Sequence, residues 1–454
     1  MKNYFVHALM QKPKFKSFNL RWGDSFGVIL KNAVSLVGTQ VVTSAIGFIY
    51  WWLAARRFPP QSVGLASASV SAMILLGTIG IMGFGTLLMG ILRREPDQAG
   101  NLIASALVAV GVAGSLIGIL FVWSTSWISS DLEVWSANIW NALLFGASVG
   151  LASIVLVVDQ SLIGLLRGDL QLWRNTVFAL AKLVILWIIA SWLSGASGVM
   201  IYGTWFAGNL ISCLFLIGYA IYKGQRMSAY RPRIGLVRRL GIDALVHHSL
   251  NIALQAPGLA LPVIVTIVLS AQLNAYFYAS WMIASFVFVG PIALATVLYA
   301  VGSVDAAKLS QKFRSTLNFS LAIGVLACSG LFVIAGRVLW IFGPDYAGQA
   351  AWSLRILSLA VFPIIIKNLY VAVYRIRNRI IVATRLVIVG GALELLLAVA
   401  GGKIGGLAGL SAGWVLAVFI EGLVMLPTVI QAINPRHAPD EQMPGELEVT
   451  PKSV

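Results

Sequence analysis

Charged side chains inside long apolar stretches are the residues of this sequence whose types could do chemistry. Each costs about 2.5–3.5 kcal/mol at the centre of a membrane helix, so it needs a partner or a polar cavity. A lysine or arginine in a water-filled cavity can bind an anionic group, and a carboxylate can take up a proton or a sodium ion. The apolar stretches contain five such charges: Asp159, Lys182, Lys367, Glu394 and Glu421.

We predict two roles for these charges. Lys182 and Lys367, together with Arg355 near the end of a stretch, are candidates for binding an anionic substrate. Asp159 and Glu394 are candidates for coupling transport to an ion. The alternative is that opposite charges pair, Asp159 with Lys182 or Lys367 with Glu394, and only fix the packing of helices. The remaining carboxylate is interpreted as a half-exposed packing residue.

Polar residues also run along two of the apolar stretches. His247, Asn251 and Gln255 recur at intervals of four, which places them on one face of a helix. Two prolines follow them and are expected to kink that helix. The first apolar stretch has a comparable strip that includes Lys31 and Gln40. We predict that these five residues line the substrate path.

The sequence lacks the motifs of nucleotide hydrolysis and of metal binding. No Gly-x-x-x-x-Gly-Lys-[Ser/Thr] pattern occurs. Cys213 and Cys328 both lie inside apolar stretches, where they are expected to be packing residues. We therefore predict no catalytic residue, no metal site and no cofactor, and a protein that is not an enzyme.

The composition is that of a helical membrane protein. Of 454 residues, 59% are hydrophobic and only 11% charged, against about 45–50% and about 25% in soluble proteins. A helix of about 20 apolar residues crosses a bilayer core of about 30 Å, and the apolar stretches are too long for barrel strands. We predict an all-α polytopic membrane protein of about twelve transmembrane helices, near 28–54, 62–91, 100–123, 138–165, 175–193, 198–222, 243–269, 274–300, 316–336, 353–374, 380–400 and 405–430.

The basic residues predict the orientation of these helices. The net charge of +16 would suggest nucleic acid in a soluble protein, but here the basic residues lie between the apolar stretches, so we expect no nucleic-acid partner. With both termini in the cytoplasm, the cytoplasmic segments hold 25 Lys and Arg residues and the outer segments four. Basic residues accumulate on the cytoplasmic side of membrane proteins, so we predict cytoplasmic termini.

The two halves of the chain resemble each other. Ser67-Ala68-Ser69 aligns with Tyr278-Ala279-Ser280 at an offset of 211 residues. Each half then has six helices, which predicts two six-helix lobes related by an axis along the membrane normal. We predict a basic cytoplasmic segment at 1–27, an N-lobe at 28–225, a C-lobe at 226–433 and a disordered cytoplasmic tail at 434–454.

Two segments resemble a known family. Residues 55–88, "ARRFPPQSVGLASASVSAMILLGTIGIMGFGTLL", resemble the first-to-second helix signature of polysaccharide flippases, within the multidrug/oligosaccharidyl-lipid/polysaccharide exporter superfamily. Residues 339–379, "LWIFGPDYAGQAAWSLRILSLAVFPIIIKNLYVAVYRIRNR", resemble that family's outer Phe-Gly-Pro-x-Tyr turn, Leu-Arg-Ile-Leu run and closing basic loop. The expected plan of twelve or more helices in two bundles covers essentially the whole chain.

The resemblance implies a flippase in the bacterial inner membrane. Its substrate would be an oligosaccharide linked to undecaprenyl pyrophosphate, moved by alternating access of the two lobes. The expected partners are membrane lipids, a sodium ion or proton, and the polysaccharide polymerase machinery. An ion-coupled multidrug exporter of the same superfamily is the alternative. A membrane glycosyltransferase or ligase is less well supported, because the longest loop, 223–239, contains no acidic residue.

Overall fold

The computed structural model describes residues 22–193, 195–224, 231, 232, 235, 242–302 and 309–433. It does not describe the side chains of residues 22–37, 242–244, 246, 247, 299–302 and 309. The predicted terminal segments therefore lie wholly or largely outside it. The described chain forms thirteen α-helices: α1 Trp22–Arg57, α2 Pro60–Gly80, α3 Phe84–Ile91, α4 Ala99–Ile128, α5 Ile139–Gly164, α6 Gly168–Trp192, α7 Gly198–Tyr222, α8 Ile242–Val268, α9 Ala271–Gly302, α10 Leu309–Trp340, α11 Pro344–Ser358, α12 Val361–Ile376 and α13 Ile380–Ile433.

Nine helices of the described chain are long and apolar enough to cross a membrane, and ten crossings result if α11 and α12, bent by 41°, form one. The 54 residues of α13 would measure about 80 Å if straight, far more than a bilayer core of about 30 Å. Gly405 and Gly406 leave the helical conformation, so α13 contains two crossings. With α1, 36 residues long, the number reaches the predicted twelve, and the all-α fold class is confirmed.

Two predicted spans are interrupted. Residues 62–91 were expected to form one helix, but α2 and α3 are separate because Met82 and Gly83 have φ values of 47° and 81°, which end an α-helix. The span expected at 353–374 begins earlier, at Pro344, and bends between Ser358 and Val361. Sequence periodicity does not reveal such breaks, because the apolar composition continues across them.

The helices pack as two groups of six crossings. Within the first group α1 packs on α6 and α4 on α5, and within the second α8 and α12 pack on α13. The groups meet where α2 packs against α8 and α9. The exact ends of the two lobes, 28–225 and 226–433, remain a prediction.

Candidate functional site

The two groups of helices are joined at the end of the bundle where α1 finishes, which we call the Arg56 end. Gly64 of α2 lies directly on the backbone of Ala271, the first residue of α9, and a Cβ at Gly64 would meet the Ala271 carbonyl oxygen. Asn274 donates from Nδ2 to the Gly64 carbonyl oxygen at 2.8 Å and to Ser67 Oγ at 3.1 Å. Glycine is required at position 64 because the two backbones touch there.

Asp131, in the loop between α4 and α5, adds a second connection at this end. Its Oδ2 accepts a hydrogen bond from the backbone N–H of Ala271 at 2.7 Å, and its Oδ1 accepts one from Gln61 Nε2 at 3.4 Å. A carboxylate from one group of helices therefore caps the N-terminus of α9 in the other. The positive end of the helix dipole favours a negative charge at this point.

Arg56 makes the third connection. Its Nε donates to the carbonyl oxygen of Ile341 at 2.7 Å and its Nη2 to that of Trp340 at 3.2 Å. Trp52 Nε1 donates to the same Ile341 oxygen at 3.1 Å. These side chains come from α1 and their acceptors from the α10–α11 turn. The Arg56 end is thus closed by side-chain hydrogen bonds and one close backbone contact.

Aromatic rings continue from this end into the first group of helices. Trp51 of α1 packs edge-on against Tyr278 of α9, with ring centroids 4.8 Å apart. On its other side Trp51 approaches Trp205 of α7 at 6.3 Å, and Phe178 of α6 lies 5.5 Å from Trp205. The rings connect α9 with the interior of the other group of helices.

Lys182 lies at the far end of these rings. Its side chain is buried, with the residue 4% exposed. Its Nζ lies 3.5 Å from the centroid of the Trp205 ring, 4.6 Å from that of Phe178 and 5.1 Å from that of Tyr50. No ion pair to Lys182 is found among the described residues. Cation–π contacts offset part of the cost of burying a charge here, but no described residue places an anion beside it.

Lys367, the second candidate for anion binding, is neutralised. Its Nζ donates to Glu394 Oε1 at 2.7 Å and forms an ion pair with Glu421 Oε2 at 2.8 Å. Trp414 Nε1 donates to the other oxygen of Glu394 at 2.6 Å. All three charged residues are buried. The pairing of Lys367 with Glu394 is the alternative considered from the sequence, with Glu421 as an added member that is buried, not half-exposed.

Asp159 pairs with Arg174 and not with Lys182. Arg174 Nη2 donates to Asp159 Oδ2 at 2.7 Å, and Asn175 Nδ2 donates to the same oxygen at 3.2 Å. Arg174 also reaches Ser212 Oγ on α7 at 3.5 Å. Arg174 is one of the 25 basic residues assigned above to the cytoplasmic segments. It lies instead in the second turn of α6, only 2% exposed.

The other predicted site residues are dispersed. Arg355 donates from Nε to the Phe332 carbonyl oxygen at 3.0 Å, within its own group of helices. Asn251 Oδ1 accepts from Arg375 Nη2 at 3.2 Å, and Gln255 Nε2 donates to the Asn251 carbonyl oxygen at 3.3 Å. Exposed Gln40 donates to Ser44.

The predicted substrate residues Lys31 and His247 belong to α1 and α8, but their side chains lie outside the described residues. The described part of the chain contains no group of three or more His, Cys, Asp or Glu residues that could hold a metal ion.

Comparison with known proteins identifies the fold. No family model matches the chain, and no curated protein sequence matches it. A multidrug resistance MATE family transporter of the MOP superfamily, solved facing inward, aligns with 90% of this chain and 100% of its own at 15% identity, with a TM-score of 0.64. A transporter of the same description, solved in an outward-facing conformation, aligns with 96% of this chain and 99% of its own, again at 15% identity, with a TM-score of 0.59.

A MOP superfamily transporter from Pyrococcus furiosus, described as having a binding pocket of reverse polarity that suggests a different function, covers 95% of this chain and 98% of its own at 15% identity, with a TM-score of 0.59. At this identity the similarity establishes the fold alone, the one shared by these solved membrane transporters. The proteins compared carry no evidence specific to the polysaccharide branch that the two sequence segments resemble.

Proposed function

We propose that this protein is an alternating-access transporter that exports an amphipathic substrate with an anionic head group. The shared fold, solved in inward- and outward-facing conformations, supports alternating access. So does the composition of the Arg56 end, where side-chain hydrogen bonds join the two groups of helices in addition to the packing of α2 against α8 and α9. Such contacts are worth about 0.5–1.5 kcal/mol each, so the end can open without unfolding either group.

The observation that carries the choice of substrate is the buried amino group of Lys182, which has no acidic partner among the described residues. The three described carboxylates inside the crossings, Asp159, Glu394 and Glu421, each have a basic partner. Of the two lysines Lys182 and Lys367, Lys182 is the one without an acidic partner among the described residues. A phosphate or pyrophosphate would supply the opposite charge. Aromatic rings around Lys182 suit the faces of sugar rings. An oligosaccharide linked to a lipid pyrophosphate combines both features.

An ion-coupled multidrug exporter is the second candidate. The solved structures named as multidrug transporters favour it over the flippase. In that function Asp159 and Glu394 would exchange an ion, as proposed from the sequence, whereas the lysines would matter less.

One reconstituted system distinguishes the two candidate functions. Purified protein in liposomes is given either a fluorescent lipid-pyrophosphate oligosaccharide or a cationic dye, and movement across the bilayer is measured. We expect movement of the anionic lipid and its loss in Lys182→Gln. Lys403→Gln, which removes an exposed lysine, is the matched control and should be unaffected. Transport of the dye alone, unchanged in Lys182→Gln, would establish the drug exporter instead.

A further inference from the structure

The cluster of Lys367, Glu394 and Glu421 contains one more negative than positive charge. All three residues are buried, with exposures of 7%, 3% and 3%. Both oxygens of Glu394 have donors, Lys367 Nζ and Trp414 Nε1. Glu421 has only the ion pair between its Oε2 and Lys367 Nζ, and its Oε1 is buried with no hydrogen-bond partner. An isolated buried charge costs several kcal/mol even after relaxation of its surroundings.

We propose that this cluster is a proton-binding site, with the proton carried on the carboxyl group of Glu421. One proton taken from water converts the Glu421 carboxylate to the neutral acid and makes the cluster electrically neutral. The reverse step returns the proton to water. Lys367 then remains paired with Glu394, whose two oxygens keep their donors.

The geometry favours a proton over a metal ion. The ammonium group of Lys367 already occupies the space between the two carboxylates, within 2.8 Å of both. Glu421 Oε1 lies directly against Gly390, where an added Cβ would meet it. A sodium ion needs several oxygen ligands around it, whereas a proton needs no additional space. The unpartnered oxygen is therefore the atom on which a proton fits.

Among the described residues, Lys367 is the titratable group that forms ion pairs with the two carboxylates. The helices packed against α13 also carry Tyr370, Tyr374 and Arg375 on α12, Asp345, Tyr346 and Arg355 on α11, His248 on α8, and Lys312, Arg314, Cys328 and Arg337 on α10. Tyr370 packs on Tyr374 with ring centroids 4.6 Å apart, and Arg355 points to the Phe332 carbonyl. His248 borders Thr78 of α2. Proton binding at Glu421 is thus governed by Lys367 and Glu394.

The cluster of Lys367, Glu394 and Glu421 lies where a change in its charge can affect the contacts that close the Arg56 end. Glu394 and Glu421 lie on opposite sides of the break at Gly405 and Gly406, so the cluster ties the two arms of α13 together. Trp414, the donor to Glu394, packs edge-on against Trp281 of α9 at 4.9 Å. The helix α9 also carries the contacts that close the Arg56 end. Proton binding stands independently of the proposed transport function, while its use in driving transport rests on that function.

Infrared spectroscopy of the purified full-length protein in lipid nanodiscs tests this site without any substrate. We expect the carbonyl band of a protonated carboxylic acid at neutral pH, shifted in heavy water, and its loss in Glu421→Gln. Glu133→Gln is the matched control, because that carboxylate is exposed in the loop between α4 and α5, and it should retain the band. Glu421→Asp keeps a carboxyl group and should retain a displaced band if the glutamine variant is poorly folded.

Absence of an acid band in the unsubstituted protein, or a band that survives Glu421→Gln in folded protein, would overturn the proposal. A band lost in Glu394→Gln but kept in Glu421→Gln would also contradict it, because the proton would then reside on the other carboxyl group. None of these outcomes depends on whether a lipid-linked sugar is moved, so failure of the substrate proposal is recorded separately.

Discussion

Lys182 and Glu394 carry opposite charges and lie equally far from the start of their helices, α6 in the first group of helices and α13 in the second. Each lies fourteen residues after the first residue of its helix, Gly168 for α6 and Ile380 for α13. Glu394 accepts hydrogen bonds from Lys367 and Trp414, whereas Lys182 contacts only aromatic rings through its Nζ among the described groups. The second group of helices therefore holds a carboxylate with close donors, whereas the first holds a buried lysine with no acidic partner among the described residues.

Replacing Lys182 by Met is expected to stabilise the protein while impairing transport. The substitution keeps a long side chain among Tyr50, Phe178 and Trp205 and removes a buried amino group without an acidic partner among the described residues; the burial of one such charge costs several kcal/mol. Thermal unfolding of the purified protein in detergent should show a raised midpoint, with Lys403→Met unchanged. A lowered midpoint would mean that the charge serves packing and not substrate binding.

Lys367→Met is expected to destabilise the protein strongly. It leaves Glu394 and Glu421 buried without their cation, and breaking a buried pair in this way costs about 3–5 kcal/mol. Adding Glu394→Gln should recover part of the loss, because the carboxylate that Lys367 neutralises is then replaced by an uncharged amide. Both variants are compared by thermal unfolding. If Lys367→Met alone is as stable as the original protein, there is no ion pair at this position.

Gly64→Val is expected to open the Arg56 end. A valine side chain cannot fit against the backbone of Ala271, so α2 and the start of α9 must separate. Spin labels at Gln61 and Gln272, both exposed, should move apart in pulsed electron-spin distance measurements. Gly47→Val is the matched control, since a Cβ there meets no atom within 4 Å. Unchanged distances in both variants would show that the contact does not hold the end closed.

Asp131→Ala is expected to weaken the closed state without disrupting it. Loss of a helix cap costs about 0.5–2 kcal/mol, which corresponds to a change of about two- to thirty-fold in the ratio of closed to open molecules. The same label pair should report a larger open fraction. Glu133→Ala, an exposed change in the same loop, should leave the distance distribution as it was; an equal effect of both substitutions would argue against a specific cap.

The orientation predicted from the basic residues is tested by thiol labelling. In a background without Cys213 and Cys328, a cysteine at Gln61 should react with a membrane-impermeant reagent in whole cells. One at Gln225 should react only after the membrane is broken. Gln61 belongs to the Arg56 end, so this result would place the closed end outside. Reversed labelling would invert the predicted topology.

The sequence predicted the fold better than it predicted the site. Helix number and the presence of charges inside the crossings follow from composition and length, which are local properties, but the burial of Glu421 was not predicted. The partner of Asp159 could not be predicted in this way, because Arg174 lies so close to the predicted start of a helix that it was assigned to a loop. Asp131 was missed because it acts on Ala271, 140 residues away. The rings around Lys182 come from three helices, and no periodicity within one helix reveals them together.

The contact between Gly64 and Ala271 also constrains how this protein can evolve. Any side chain at position 64 requires a displaced start of α9, so substitutions at 64 should be tolerated only with compensating changes around 271 to 274. Among homologous sequences these positions are expected to vary together. Relatives in which position 64 and positions 271 to 274 vary together would share the Gly64–Ala271 contact at the Arg56 end. Relatives without this joint variation would share only the arrangement of helices.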